Sequence, residues 1–187
     1  EKPLNQLNLA YASASISETG WLKVDISNSK LSVDEADALI ILSQYSGLSI
    51  DECRSIVTDS KYDSYKIEEV ENYSGQHKYS NLSIDELYSK FELESEYSTI
   101  KVDEIGSNFS EIDIDNSRGA CKMTISENSN FTLNAEAHRG DISVSGIDNI
   151  DKRIETLDKY IEGSHGNPAG ATVTVKTKDG SVKIEID

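Results

Sequence analysis

The sequence has too few basic residues, prolines and long apolar runs for several classes of protein. Only 18 Lys and Arg face 34 Asp and Glu, and the resulting net charge of −16 argues against a nucleic-acid or anionic-membrane partner, since both need a basic face. No stretch of about 18 apolar residues occurs, so no membrane-inserted segment is expected. The low proline content, with abundant Ser, Asn and Asp, fits a chain of short strands and many corners.

The start of the sequence also lacks a recognisable leader. The chain begins at Glu1 rather than Met, and no apolar segment typical of a signal peptide follows. We therefore expect that any signal peptide has been removed or lies outside this sequence. The length of 187 residues suits one domain, or one solenoid whose length depends on the number of coils.

One phrase occurs four times between Tyr45 and Ile105, opening on a tyrosine and closing on an acidic pair and an apolar residue. The tyrosines follow one another at steps of 17, 17 and 18 residues, and such a step predicts a solenoid. The phrase continues in both directions, with Arg-Gly replacing Tyr-Ser at the last two corners. The eight predicted corner residues are Tyr11, Asn28, Tyr45, Tyr62, Tyr79, Tyr97, Arg118 and Arg139.

Two apolar columns run through these coils, three and five residues after each corner. Residues two apart face the same side of a strand, so both columns are predicted to face one interior. The columns are Ala14, Leu31, Leu48, Tyr65, Leu82, Ile100, Cys121 and Ile142, then Ile16, Val33, Ile50, Ile67, Ile84, Val102, Met123 and Val144. A second strand is expected in the other half of each coil, where Trp21 would pack inward. Residues 71–78 match the repeat least and are interpreted as a loop.

The predicted fold class is all-β, a right-handed parallel β-helix (a single-strand-rung β-solenoid) of about eight to nine coils with a C-terminal capping insertion. It forms a single domain over 1–187, with an incomplete first coil at 1–10, regular coils at 11–144, an insertion or loop at 145–170 and terminal strands at 171–187. The apolar spacing from Ile147 to Ile161 is typical of an amphipathic helix, and an extended loop is the alternative. Asp179-Gly180 favours a hairpin, but its flanking residues repeat the corner phrase, so a last coil is preferred.

The most regular polar feature is a column of acidic residues. The interpretation we favour is a solvated corner, and the alternative is a weak ladder of divalent cations, since carboxylates supply the oxygen ligands that Ca²⁺ takes. The ladder would consist of Glu18, Glu35, Glu52, Glu69, Glu86 and Glu104. The tyrosine column has two readings as well, a structural stack at the corners or an exposed strip for glycan stacking. The incomplete first coil predicts either that a preceding segment has been cut away or that this end takes part in end-to-end self-association.

No motif predicts a reaction. The sequence lacks a nucleophile elbow, a phosphate-binding Gly-rich loop, a zincin motif and a Cys-x-x-Cys pair, and no cofactor is expected. His77, His138 and His165 are interpreted as surface or loop residues. Cys53 and Cys121 are four coils apart, too far for a disulfide, and are expected to be buried free thiols. Asp113 and Asp115 share a strand face and are the best candidates for a glycosidase-like pair.

Three phrases of this chain resemble a bacterial adhesin-like family of unknown function, the head-domain-like β-solenoid proteins of Bacteroidetes. They are the Tyr-Ser-x-Leu-x-Ile-x-Glu units, Arg139-Gly-Asp-Ile-Ser-Val144 and Thr177-Lys-Asp-Gly-Ser-Val-Lys-Ile184. The resemblance spans roughly residues 11–186 and implies a right-handed β-helix, export and a location in the periplasm, at the outer membrane surface or outside the cell. It transfers no catalytic or binding residue.

The sequence thus predicts a non-catalytic binding or scaffold module whose partner is a glycan or an envelope protein. The alternative hypothesis is a β-helix enzyme that acts on acidic polysaccharide.

Overall fold

The computed structural model describes residues 4–167 and 170–187. Of these, 79% lie in strands and none in a helix. The first three residues of the predicted incomplete coil, and positions 168 and 169 of the predicted insertion, lie outside the described residues. The strands are β1 Leu4–Ala10, β2 Ser13–Ser27, β3 Lys30–Gln44, β4 Gly47–Lys61, β5 Ser64–Lys78, β6 Asn81–Glu96, β7 Thr99–Ile105, β8 Glu111–Ser117, β9 Ala120–Ile125, β10 Phe131–His138, β11 Asp141–Ser145, β12 Asn149–Ile154, β13 Asp158–His165, β14 Ala171–Lys178 and β15 Ser181–Ile186.

Each strand from β2 to β6 makes one complete coil, and it bends in the middle. In β3 the bend lies where Asp34 and Glu35 both face outward, so Val33 before them and Ala36 after them both point into the core. We call the part before the bend the first half of the coil and the part after it the second half. Each coil pairs in parallel with the next, with Leu31 opposite Leu48 and Val33 opposite Ile50. The two predicted apolar columns are therefore confirmed as the core between the two halves.

The corners between coils share one backbone conformation. All eight predicted corner residues have a φ between 49° and 60°, and Asp179 is a ninth with a φ of 53°. Residues other than Gly adopt this left-handed region rarely, at roughly 1–2 kcal/mol each. The ladder offsets that cost, because the corner amides donate to carbonyls of an adjacent coil, as from Tyr45 N to Lys61 O at 3.1 Å. Arg139 N donates instead to Leu157 O in the turn of the hairpin, at 2.7 Å. The sequence repeat thus corresponds to a turn with the same backbone conformation at the start of each coil.

The strand order departs from the chain order after Ser117. β14 lies between β8 and β10, and β15 lies between β9 and β11, all in parallel register. The segment around Asp179 therefore forms a coil, as preferred, and β14 and β15 do not pair as a hairpin. Within the described part of the chain, only the coil of β10 and β11, with the hairpin of β12 and β13, lies beyond it. The stack has about seven turns, slightly fewer than the predicted eight to nine.

The insertion forms an antiparallel hairpin, so both the helix and the loop predicted for it are wrong. β13 pairs with β10, and β12 pairs with β13 as the outermost strand. Without β13 the edge of β10 would leave backbone amides unpaired. The need to form these backbone hydrogen bonds outweighs the helical spacing of the apolar residues in the insertion. Of the apolar residues that suggested a helix, Ile161 is buried while Ile154 stays 72% exposed. The hairpin covers the second-half edge at this end, as a capping insertion does, whereas β11 pairs only with β15 and its outer edge has no strand partner among the described residues.

The opposite end has a free edge among the described residues. β1 pairs with the second half of β2 only, and the first half of β2 pairs only with β3. Apolar side chains at this end, such as Leu7 and Ile16, pack against the core but are only partly buried. End-to-end self-association through this coil stays a prediction.

Two further expectations about the second half of the coils are wrong. Residues 71–78 form a regular half-coil inside β5 and not a loop, with Tyr73 and His77 each 1% exposed. Trp21 is 49% exposed on the outer face of β2 and does not pack inward. In both cases the alternation of the strand decides which side a residue faces, whatever its size or polarity.

Candidate functional site

A ladder of serines secures the backbone at the corners. Each serine follows a corner residue and points inward, and its hydroxyl accepts the amide of the equivalent residue one coil earlier. Ser29 Oγ accepts Ala12 N at 3.0 Å and donates to Ser27 O at 2.8 Å. Ser80 and Ser98 make the same two bonds in later coils. This pattern explains why Tyr is followed by Ser at these corners, since the hydroxyl satisfies two buried backbone groups.

Asp63 takes the serine position in one coil and collects more donors. It is 4% exposed and accepts hydrogen bonds from the amides of Ser46 and Lys61, at 2.7 and 2.9 Å. The hydroxyls of Ser43 and Ser60 donate to its Oδ2 at 2.7 and 2.8 Å. Four donors replace the water that a buried carboxylate loses, so the group is structural and has no accessible oxygen for a ligand.

His77 lies beside this cluster and links Tyr73 and Thr58, two residues that the sequence analysis did not connect with it. Its Nε2 lies 2.6 Å from the Tyr73 hydroxyl and 3.1 Å from Thr58 Oγ1, while its Nδ1 has no partner. Burial lowers the pKa of His77 from 6.5 to about 4, so the ring is neutral. Gly75 leaves the room for this group, because a Cβ there would lie 2.4 Å from Thr58 Oγ1. The sequence offered one signal for this group, the two-residue spacing of Tyr73, Gly75 and His77, which places all three on the same face of a strand.

The two cysteines are confirmed as buried free thiols. Burial raises the pKa of Cys53 to about 11 and that of Cys121 to about 12. Because the thiolate is the reactive form, neither residue is a nucleophile at neutral pH.

The corner tyrosines form one continuous stack. The ring centroids of Tyr45, Tyr62, Tyr79 and Tyr97 follow one another at 4.9, 5.0 and 4.9 Å, with interplanar angles of 2°, 13° and 3°. The Arg118 guanidinium lies 5.3 Å from the Tyr97 centroid at one end of the stack. The structural interpretation is therefore confirmed for these four tyrosines. Their faces cover one another except for the outer face of Tyr45, so a strip for glycan stacking would have mainly ring edges to offer.

The predicted acidic column exists, with its six glutamates in register on adjacent strands. It borders a groove of about 960 Å³ in which Arg54 lies 3.7 Å from Asp37 and 3.9 Å from Glu71. The Tyr88 hydroxyl contacts Glu86 at 2.5 Å and Glu69 at 2.9 Å, and these hydrogen bonds, led by Glu86, raise the pKa of Tyr88. Within residues 4–167 and 170–187, no group of three or more His, Cys, Asp or Glu could hold a metal ion. The cation ladder stays a prediction.

The outer face of the second-half sheet changes character along the stack. Near its start is an exposed apolar patch, with each side chain between 38% and 49% exposed. The apolar patch consists of Leu4, Trp21, Ile40, Leu42 and Val57. The strand registers place them in two nearby groups, Leu4 opposite Trp21, and Ile40 opposite Val57 with Leu42 two residues further along β3. Lys23 lies opposite Ile40 between the two groups. Monomeric proteins rarely leave large side chains clustered on a flat face without a use for them.

The same face continues into a group of carboxylates. Glu92 lies opposite Asp113, and Glu94 lies opposite Asp115, across β6 and β8. We call these four residues the acidic field. They line a hollow of about 490 Å³ together with Lys176. The two aspartates singled out as a glycosidase-like pair thus belong to a flat, four-carboxylate surface.

None of the described residues form a helix long and apolar enough to cross a membrane. No family model, no curated protein and no solved structure matches the chain. The resemblance to adhesin-like proteins stays a prediction, and the function has to be inferred from the chain's own residues.

Proposed function

We propose that this chain is a non-catalytic binding or scaffold module of an exported, adhesin-like envelope or surface protein. Its partner is a protein, and the contact is the outer face of the second-half sheet. The observation that carries the proposal is the apolar patch, on strands that pair on both sides apart from the edge strand β1. Because the backbone beneath it is rigid, a partner meets a preformed surface and little conformational entropy is lost on binding.

The patch and the acidic field define the chemistry of the partner. Ile40, Val57 and Leu42 of the patch share two outward columns with the acidic field, one running from Ile40 and Val57 to Glu92 and the other from Leu42 through Asp59 to Glu94. Leu4 and Trp21 lie in the neighbouring column. Val57 and Glu92 are two coils apart, or about 10 Å at ~4.8 Å per coil. A complementary partner has apolar side chains at one end of its contact and Lys or Arg at the other, so charge sets its orientation.

The alternative of an enzyme on acidic polysaccharide has less support. The two hollows with adjacent carboxylates, the acidic field and the groove beside the glutamate column, each carry several like charges that repel a polyanion. A glycan partner for the apolar patch would have to be neutral, and it would find one aromatic ring, that of Trp21, among four aliphatic side chains.

The repeat itself supplies substitutions that test the patch without disturbing the coils. Val57→Ser and Leu42→Gln introduce residues that other coils already hold in these columns, at Ser74 and Gln76. We expect the double variant to melt like the parent and to lose the envelope proteins that the parent retains on a column. Glu92→Gln with Asp113→Asn should weaken the same binding and reduce its dependence on salt.

Lys66→Ser is the matched control, since it lies on the outer face of the first half and serines occupy its column at Ser49 and Ser83. It should bind like the parent. If the patch double variant retained the same proteins with unchanged affinity, the proposed contact would be wrong.

A further inference from the structure

The tyrosine stack is interrupted at one corner. On one face Tyr45 stacks against Tyr62, but the next corner residue on its other face is Asn28, whose short side chain leaves that ring face uncovered. Beyond Asn28 the column resumes with Tyr11, which is 83% exposed. The far end of the stack has no such opening, because Arg118 covers Tyr97.

The backbone at the interruption is the same as elsewhere. Asn28 has a φ of 50°, and Tyr11 and Tyr45 both have a φ of 53°. The corner amides of Tyr11 and Asn28 donate to Ser27 O and Gln44 O at 3.2 and 3.0 Å. The step between coils is therefore unchanged, and Tyr11 and Tyr45 are two steps apart, which is about 10 Å at the 4.9 Å ring spacing of the stack. That distance leaves room for one ring.

The opening is a real hollow and not only a missing contact. A cavity of about 610 Å³ lies there, lined by Tyr11, Asn28, Lys30, Tyr45 and Gly47 among others. Gly47 keeps its floor open, since a Cβ at this position would meet only Lys30 Cγ, at 3.9 Å. Each wall can offer an aromatic face, because Tyr11 has the backbone conformation that lets Tyr45 stack.

We propose that Tyr11, Asn28 and Tyr45 form a ring slot that binds one planar aromatic ring of the phenol type. The protein itself demonstrates the fit, since Tyr62 lies between two tyrosines at 4.9 and 5.0 Å in the equivalent place. A neutral ring is favoured, because the net charge of −16 repels anions. Stacking on two faces and burial of apolar area supply the binding energy. The slot lies at the corners, away from the apolar patch, and does not depend on the function proposed for that patch.

The test is a titration followed by the tyrosine ring resonances in NMR. The probes are p-cresol, a free phenol, and N-acetyltyrosinamide, a phenol carried on a peptide unit. We expect one site per chain for both, with the largest shifts at Tyr45 and Tyr11. Tighter binding of N-acetyltyrosinamide would indicate a protein side chain as the natural occupant, and equal binding would indicate small phenols.

Two substitutions should change the number of binding sites in opposite directions. Asn28→Tyr fills it with a ring in a corner conformation that tyrosine already adopts in five coils, so the variant should fold, melt higher and bind neither probe. Tyr79→Asn opens an equivalent gap between Tyr62 and Tyr97, so the number of sites should rise from one to two. Lys66→Ser is again the control and should keep one site.

Several results would overturn the ring slot. The first is binding of either probe to Asn28→Tyr. The second is no detectable binding by the parent up to the solubility limit of both probes, and the third is a single site in Tyr79→Asn. Methyl β-glucoside bound more tightly than p-cresol, and lost in Asn28→Tyr, would make this a sugar site instead.

Discussion

The Arg139 guanidinium lies against the Asp179 carboxylate, with Nη2 donating to Oδ2 at 3.0 Å and Nε 3.0 Å from Oδ1, although forty residues separate them in the chain. The two residues are corners of adjacent coils, and Asp179 N donates to His138 O at 3.0 Å to continue the ladder. On the other side of this coil, Arg118 N donates to Lys178 O at 2.9 Å. The last coil of the chain is therefore held between two coils that precede it in sequence.

The inserted coil should control the C-terminal part of the stack. Val175 is fully buried in β14, between Ile114 of β8 and Ala135 of β10. Val175→Asp places an unpaired carboxylate there, and we expect a loss on the order of 4 kcal/mol in the free energy of unfolding. Since coils contact only their neighbours, β2 to β5 should stay folded.

Limited proteolysis with mass spectrometry would locate the opened region, and the emission of Trp21 would report on the first coils. Cleavage should concentrate after Arg118. Thr174→Asp, which adds the same charge on the outward side of β14, is the control and should resist protease. Equal cleavage throughout the variant chain would show that the coils unfold as one unit.

The neutral His77 makes the stability of the protein depend on pH. Its pKa is about 4 when folded and 6.5 ordinarily, so between these values the unfolded chain binds a proton that the folded chain does not. Stability is therefore complete above pH 6.5 and falls as the pH drops towards 4, by roughly 3 kcal/mol for this group.

Urea unfolding measured across this pH range would test the prediction in the parent and in His77→Ser. Serine is a suitable replacement, because Ser60 and Ser95 hold the equivalent positions in the neighbouring coils. The difference in stability between the two proteins should shrink as the pH falls. A difference that is constant from pH 7 to pH 4 would contradict the assignment.

Gly75 should not tolerate a side chain. A Cβ there would lie 2.4 Å from Thr58 Oγ1 and 2.9 Å from Tyr73 Cε1. We expect Gly75→Ala to lower the free energy of unfolding by about 2 kcal/mol through overpacking. Thr58→Ala removes the closest atom, so the double variant should lose about 1 kcal/mol less than the sum of the single changes. Thermal or urea unfolding of the four proteins gives this coupling, and strict additivity would mean that the two residues do not clash.

Asp63 should matter for the hydrogen bonds it accepts rather than for its charge. Asp63→Ala leaves the hydroxyls of Ser43 and Ser60 and two backbone amides without their acceptor, and we expect a loss of about 3 kcal/mol. Asp63→Ser restores the residue that other coils use at this position and should recover part of the loss. Urea unfolding distinguishes the two variants, and equal losses would indicate that the serine ladder contributes little here.

Sequence reasoning recovered the features that repeat and missed those that occur once. The eight corners and both apolar columns follow from a pattern that recurs in every coil. A coil that matches the pattern weakly can therefore be assigned from the register of the other coils. The half-coil with Tyr73, Gly75 and His77 looked like a loop, because its polar and small residues make sense only beside Thr58 in the preceding coil. The ring slot depends on a single Asn among tyrosines, and its meaning appears only when the ring spacing is known.

The all-β class, the corner positions and the residues that face the core follow from the amino-acid sequence alone, because those depend on the two-residue period of a strand and on a local turn that recurs at every coil. The position of the last coil between β9 and β11, and the hairpin that covers the end where a helix was expected, are visible only in the folded protein. Every coil presents an edge that could pair in parallel with any other coil. Which coils become neighbours therefore depends on the relative stability of long-range strand pairings, which the local sequence pattern does not reveal.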